Sequence, residues 1–341
     1  MRREGEAVDG GQAWPAGVAT GIGSMPGTDI TEAVKLVFGE LPELPYLPEL
    51  PARGPGAELV GRTAGLLVEL PVELYAARWR VAGRAGRAGR DLRRTRDFLA
   101  RDLDALTEAG DGFTGTLKVQ AAGPWTLAAN LDLPVGGRML RDPGAVRDLT
   151  ASLAEGLAAH VAEVAARLPG ARILLQLDEP SLPAVLAGQV PTESGWQTLR
   201  AVQVATATEA LARVVTAAGV PVVVHCCAPD VPVALLRDAG AAAVALDLDL
   251  VGPLDPLGDA LDAGLGLFAG AAAPVGTQAP TSAQVADRVR RLWREIGLPA
   301  ERLPAQVVVA PACGLAGATP EYARAVLAAC REAARRLADE P

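Results

Sequence analysis

The fold class this sequence predicts is α/β, a single (β/α)8 TIM barrel, on three observations. Eight apolar runs recur along the chain, most of them followed by a stretch with helical spacing, the rhythm of parallel strands joined by crossover helices. At 341 residues, half of them hydrophobic, the chain is long enough for one such barrel, which takes about 250 residues or more. The polar residues able to do chemistry gather at the C-terminal ends of the runs, where barrels of this kind place their active sites.

The runs, in order, are GVATGIGS (17–24), GLLVEL (65–70), GTLKVQAAG (115–123), RILLQLDEP (172–180), VPVVVHCC (220–227), AAAVALDLDL (241–250), GLGLFAGAAA (264–273) and AQVVVAPACG (305–314). Between the third and fourth, Leu149, Leu153, Leu157, Val161, Val164 and Leu168 recur every three or four residues, drawing one apolar stripe of a helix, and Pro143 suits its start. The expected layout is a flexible N-terminal tail over 1–16 and one barrel over 17–341. Two segments break the rhythm. Residues 40–56 (ELPELPYLPELPARGPG) are proline-rich and expected to be an extended loop near one barrel mouth. Residues 78–96 hold eight arginines, including GRAGRAGR over 83–90; such a run reads as a solvated helix face or as a docking site for an anion or partner.

Bulk chemistry narrows the function. A net charge of −8 argues against nucleic acid, which needs a clustered positive field. Uniformly apolar stretches stay below about 12 residues, too short to span a bilayer. The N-terminal segment lacks the apolar stretch of a secretory signal, so the expected location is the cytoplasm, where the four cysteines stay reduced. The sequence leaves the oligomeric state unknown.

Cysteines supply the first chemical signal. His225 and Cys227 are two apart, so on a strand they share a face, while Cys226 points toward helix packing. Cys313 ends the eighth run, and Asp247 and Asp249 end the sixth. One imidazole, two thiolates and one carboxylate suit a tetrahedral Zn2+, and soft thiolates disfavour magnesium or calcium. Alternation does not choose between the two aspartates; Asp247 is favoured because it ends the more continuous apolar run. His160 and Cys330 fall within helices and read as packing residues. Asp178 and Glu179 end the fourth run, where two adjacent acids need a cation, such as a substrate ammonium, or else a helix cap or an arginine. The Gly-rich turn GIGSMPG (21–27) offers amide N–H groups and the Ser24 hydroxyl to a carboxylate.

Taken in order, GIGSMP, AAGPWTLA (121–128), LQLDEPSL (175–182), VHCC, ALD and PACGL resemble the C-terminal catalytic barrel of cobalamin-independent methionine synthase, within the superfamily that also holds uroporphyrinogen decarboxylase. The resemblance implies Zn2+ held by His225, Cys227, Asp247 and Cys313. It also implies homocysteine contacts from Ile22, Gly23, Ser24 and Asp178, with Glu179 beside them and Asp178 as the catalytic carboxylate. A further acid for the amino group is expected at Glu69 or Glu73. The implied reaction is methyl transfer to the homocysteine thiol, from a folate or a methylcorrinoid protein. Departures are specific. The family's second, N-terminal barrel has no counterpart here, its pterin-contacting Glu is replaced within Pro183-Ala184, and the His ending its seventh strand is replaced by GAAAP (270–274). Two other readings therefore stand beside the first: a coenzyme-thiol or corrinoid-dependent methyltransferase of the same superfamily, and a non-catalytic zinc- or thiol-binding protein.

Overall fold

The computed structural model describes residues 13–83 and 89–340. After an irregular entry, the chain forms helix α1 (Ile30–Glu40), α2 (Leu59–Ala64), a hairpin of β1 (Val72–Tyr75) and β2 (Arg78–Val81), and α3 (Arg90–Ala109). Then come β3 (Thr116–Ala122), α4 (Pro124–Asn130), α5 (Pro143–Arg167), β4 (Arg172–Asp178), α6 (Leu182–Ala187), α7 (Val204–Ala218) and β5 (Val222–Cys226). The rest is α8 (Val233–Asp238), β6 (Ala243–Asp247), α9 (Asp255–Asp262), β7 (Gly266–Ala272), α10 (Ser282–Ile296), α11 (Leu303–Gln306), β8 (Val307–Pro311) and α12 (Pro320–Asp339). Strands β3 to β8 lie side by side in sequence order, all parallel, in one curled sheet that forms a half-barrel. The α5 start is as expected: Pro143 opens it, and Asp142 caps the amides of Gly144 and Ala145.

Six of the eight expected strands form, and the first two do not. Residues 17–24 meet β8 only through a bridge at Ala19–Val309, in which Thr20 N–H donates to the Val309 carbonyl at 3.0 Å. Residues 65–70 leave the sheet altogether. They run along the outside of α5, where the Ser152 hydroxyl donates to the Val68 carbonyl and Gly156 lets the Leu66 carbonyl approach so closely that a Cβ would stand 2.1 Å from it. Beside β3 lies a piece of the proline-rich segment instead. Leu47 N–H donates to the Lys118 carbonyl at 3.0 Å and Lys118 N–H to the Pro45 carbonyl at 2.9 Å, while Glu49 N–H reaches the Gly23 carbonyl at 3.1 Å. Pro45 and Pro48 have no N–H, so the ladder breaks into single bridges and no regular strand results. The segment expected as an extended loop near a barrel mouth thus contributes to the core: Leu44, Tyr46, Leu47 and Leu50 are buried.

Side-chain alternation splits the sheet into two layers. Leu117, Val119, Leu175, Leu177, Val224, Val244 and Val309 face the helices in one large apolar cluster. On the other face Val18, Leu174, Val223, Ala245, Phe268 and Val308 fill the interior at the N-terminal ends of the strands. Trp14 seals that end, its ring edge-on to Phe268 at 5.1 Å. Most of the expected 1–16 tail lies outside the described residues, and its described end is anchored by this tryptophan. Most of the run GRAGRAGR also lies outside them. Toward the C-terminal ends the interior turns polar, with Lys118, Gln120, Gln176, Asp178 and His225 all buried.

Candidate metal and substrate site

His225 ends β5 and Asp178 ends β4, and the two are register partners across the strand pair. Their side chains meet at Nδ1–Oδ1, 2.8 Å. With the proton on Nδ1, the lone pair of Nε2 is free, and that atom is buried without a hydrogen-bond partner. Burial opposes protonation of the imidazole, but the hydrogen bond and charge of Asp178 outweigh it and hold the pKa above its ordinary value.

Cys227, two residues on, faces the same way, and the turn after β8 brings Cys313 to it with the sulfurs 3.3 Å apart. The donor atoms of His225, Cys227 and Cys313 all lie within 4.8 Å of one another. The sulfur–sulfur hydrogen bond holds one thiol, at Cys313, below its ordinary value and pushes Cys227 up, so the pair releases one proton easily and keeps the second. An orphaned imidazole nitrogen and two adjacent sulfurs are a donor set that fits Zn2+. Cys226 points out of the interior, lining a small cavity with Val233, Leu246 and Leu257, as alternation requires.

Behind the cluster runs a buried polar chain. Lys118 Nζ donates to Gln176 Oε1 at 2.8 Å, and Gln176 Nε2 donates to Asp178 Oδ1 at 2.7 Å. Both also hold the Ile22 carbonyl, each at 2.8 Å, which ties the GIGS turn to the sheet. Burial draws the Lys118 ammonium down to about 7 against the charges of Asp178 and Glu49. Glu49 is buried too; desolvation lifts it to about 7, while Arg62, at 3.6 Å, opposes the rise. Gln120 Nε2 donates to Glu49 Oε1 at 3.2 Å. Arg62 and Arg53 both close on Asp102, which carries the charge network to α3.

Not every expected residue joins the site. Ser24 lies beside the Cys313 turn: a Cβ on Gly314 would fall 2.0 Å from Ser24 Oγ, and Leu315 N–H donates to the Ser24 carbonyl. Gly23 lies against Gln120. Glu179 is a different case. Its two carboxylate oxygens accept from Trp125 N–H, Thr126 N–H and the Thr126 hydroxyl at 2.7–2.9 Å, so it caps the start of α4 rather than facing a substrate. Burial raises its pKa to about 7 in spite of those bonds. Asp247 stands outside the three-donor group, its carboxylate accepting from the Asp249 amide at 2.9 Å, and Asp249 pairs with Arg288 on the surface. Neither Glu69 nor Glu73 reaches the interior: Glu73 binds Arg80 across the hairpin, and Glu69 sits in the turn before it with φ of 54°. The interior acid is Glu49, hidden in the proline-rich segment. Lys118, Gln120 and Gln176 are not among the residues expected from the sequence; the signal for them is a polar residue at every second position of two apolar strands, a parity that places them on the inner face.

Fold and cluster together define an α/β chain with a thiol–imidazole group able to hold a metal ion at the C-terminal end of a parallel sheet. The profile of the family "Cobalamin-independent synthase, Catalytic domain" matches residues 18–336. The chain belongs to this family and is a methyltransferase of the cobalamin-independent type. No curated protein sequence matches it. Its fold is similar to that of a B12-independent methionine synthase from Shewanella sp. W3-18-1 in complex with selenomethionine, with a TM-score of 0.64 and 14% identity over 95% of this chain and 98% of that one. It is also similar to a methyltransferase from Methanosarcina mazei, with a TM-score of 0.56 and 16% identity over 96% of this chain and 95% of the other.

Proposed function

We propose that the protein is a zinc-dependent methyltransferase that methylates the thiol of homocysteine. The observation that carries this reading is the His225–Cys227–Cys313 cluster with Asp178 hydrogen-bonded behind its imidazole. Those three side chains would hold Zn2+, leaving a fourth position for the substrate sulfur; Asp247 would have to release the Asp249 amide to compete for it. Zinc bound there would favour the deprotonated, nucleophilic form of the substrate thiol near neutral pH.

The chain's own residues supply the rest. Asp178 orients the imidazole, and its carboxylate, with the buried Glu49 carboxyl nearby, would face an α-ammonium. The 22–24 turn, held by Lys118 and Gln176, would present Ile22, Gly23 and Ser24 to the α-carboxylate. A methionine synthase of similar fold was solved with selenomethionine, a ligand of this amino-acid form.

The methyl donor would be a folate or a methylcorrinoid protein. Strand β7 ends in Gly270, Ala271 and Ala272, none of which can protonate a leaving nitrogen, whereas a corrinoid leaves as a reduced metal that needs no proton. The decisive experiment loads the protein with zinc and supplies homocysteine with either methylcobalamin or methyltetrahydrofolate. Methionine formation, lost in Cys313→Ser, is expected. Silence with every donor despite about one zinc per chain would leave a thiol-binding protein. Turnover of a non-amino-acid thiol, unchanged by Asp178→Asn, would favour the coenzyme-thiol reading.

A further inference from the structure

A groove of about 690 Å3 opens between the first turns of α5 and α7. Its volume lies in the range of small-molecule sites. The floor is apolar, built from the Trp125 side chain with Val146 and Val202. Around it stand Arg141, Arg147, Arg200 and Arg213. Arg141 is engaged by Glu193 at 3.7 Å. The other three side chains make no hydrogen bond or ion pair with any described residue, and Glu209 is the one carboxylate in the lining. In a chain of net charge −8, three unpaired guanidiniums around one apolar floor form a local field of the opposite sign.

The helix ends add to that field. The first turn of α5 has its amides capped by Asp142, but Gln203, the residue before α7, makes no side-chain cap, so the first-turn N–H groups of α7 remain donors at the groove. The groove also adjoins the site described above: Trp125 N–H donates to Glu179, the residue after Asp178, and Trp125 Nε1 donates to the Ala207 carbonyl of α7.

We infer that this groove binds a small organic polyanion, a molecule that carries two or more carboxylate or phosphate groups on an apolar body. The apolar floor takes the body, and Arg147, Arg200 and Arg213 with the start of α7 take the charges. Guanidinium forks suit such oxyanions because they pair with them in two parallel hydrogen bonds. The inference rests on the groove alone and stands whether or not the cluster binds zinc.

Calorimetric titration tests it with three probes: benzene-1,3,5-tricarboxylate, citrate, which lacks the aromatic body, and benzoate, which lacks the extra charges. Benzene tricarboxylate is expected to bind at low ionic strength with a dissociation constant below about 1 mM, weakening as salt rises. Citrate and benzoate should each bind at least about tenfold more weakly. An aryl phosphate such as 1-naphthyl phosphate, run beside them, shows whether phosphate or carboxylate is preferred, and tighter binding of either than benzoate supports the inference. The triple variant Arg147→Gln/Arg200→Gln/Arg213→Gln should lose at least about tenfold, whereas Arg237→Gln/Arg324→Gln, on other surfaces, should lose nothing. All three groove arginines are exposed, so circular dichroism should show the variant folded. Equal affinity in the triple variant, or no polyanion bound more tightly than benzoate, overturns the inference.

Discussion

Asp178 and His225 stand opposite each other in the register of β4 and β5, joined by a 2.8 Å bond from imidazole to carboxylate. Neighbouring parallel strands place paired residues side by side on one face, so the carboxylate meets the ring at Nδ1 and leaves Nε2 without a partner. A carboxylate in this position fixes the tautomer and raises the basicity of the nitrogen left free. Asp178→Asn should therefore lower zinc affinity by about 10–100-fold while leaving the three donors in place. Competition with a chromophoric chelator measures it; unchanged affinity would mean that Asp178 serves the substrate alone.

Cys226 and Cys227 are adjacent in sequence but lie on opposite faces of the sheet. Cys227→Ser should abolish stoichiometric zinc, and Cys226→Ala should keep it. Elemental analysis of the purified variants separates them, and equal loss in both would break the assignment by parity.

Lys118 donates to Ile22 and Gln176 together, so Lys118→Met should loosen the 22–24 turn and remove the partner of Gln176. The expected signature is a KM for homocysteine raised by about tenfold or more with zinc content unchanged, the loss of one buried charged hydrogen bond. A fall in kcat at constant KM would contradict a positioning role.

Glu179 binds the first turn of α4 through three hydrogen bonds. Glu179→Ala should destabilise the fold by about 1–3 kcal/mol, the range for a lost cap that leaves buried donors unpaired. Zinc binding by the refolded protein should persist. Urea denaturation reads the first effect, and a stability change within error would mean that water replaces the carboxylate.

His160, buried in α5, has its pKa lowered by desolvation and then by Arg62 to about 4, and its Nδ1 has no partner. The unfolded chain binds a proton near pH 6.5, so this histidine's contribution is complete above that value. It is lost as pH falls from there toward 4. Between about pH 7.5 and pH 5 the loss attributable to it is roughly 2 kcal/mol. The difference in urea stability between wild type and His160→Leu should shift by that amount across the interval, and a difference constant with pH would refute it.

Much of the site was legible because it obeys a period of two. His225, Cys227 and Asp178 lie on the inner face of long apolar runs, and Cys313 ends another, so parity and strand ends singled them out. Glu179 was harder to place, since nothing local distinguishes a helix-capping acid from a substrate-binding one. Its role depends on Trp125 and Thr126, more than 50 residues earlier in the chain.

The sequence by itself determined the six parallel strands, their helices, and which thiols share a face with the imidazole, because apolar period and alternation are local properties. Only the tertiary structure decided what lies beside β3 and β8. There a proline-rich segment made Glu49 an interior acid, and GLLVEL was left outside against α5. Hydrogen bonds between segments far apart in the chain, and the amides that proline lacks, select among partners that no local pattern encodes.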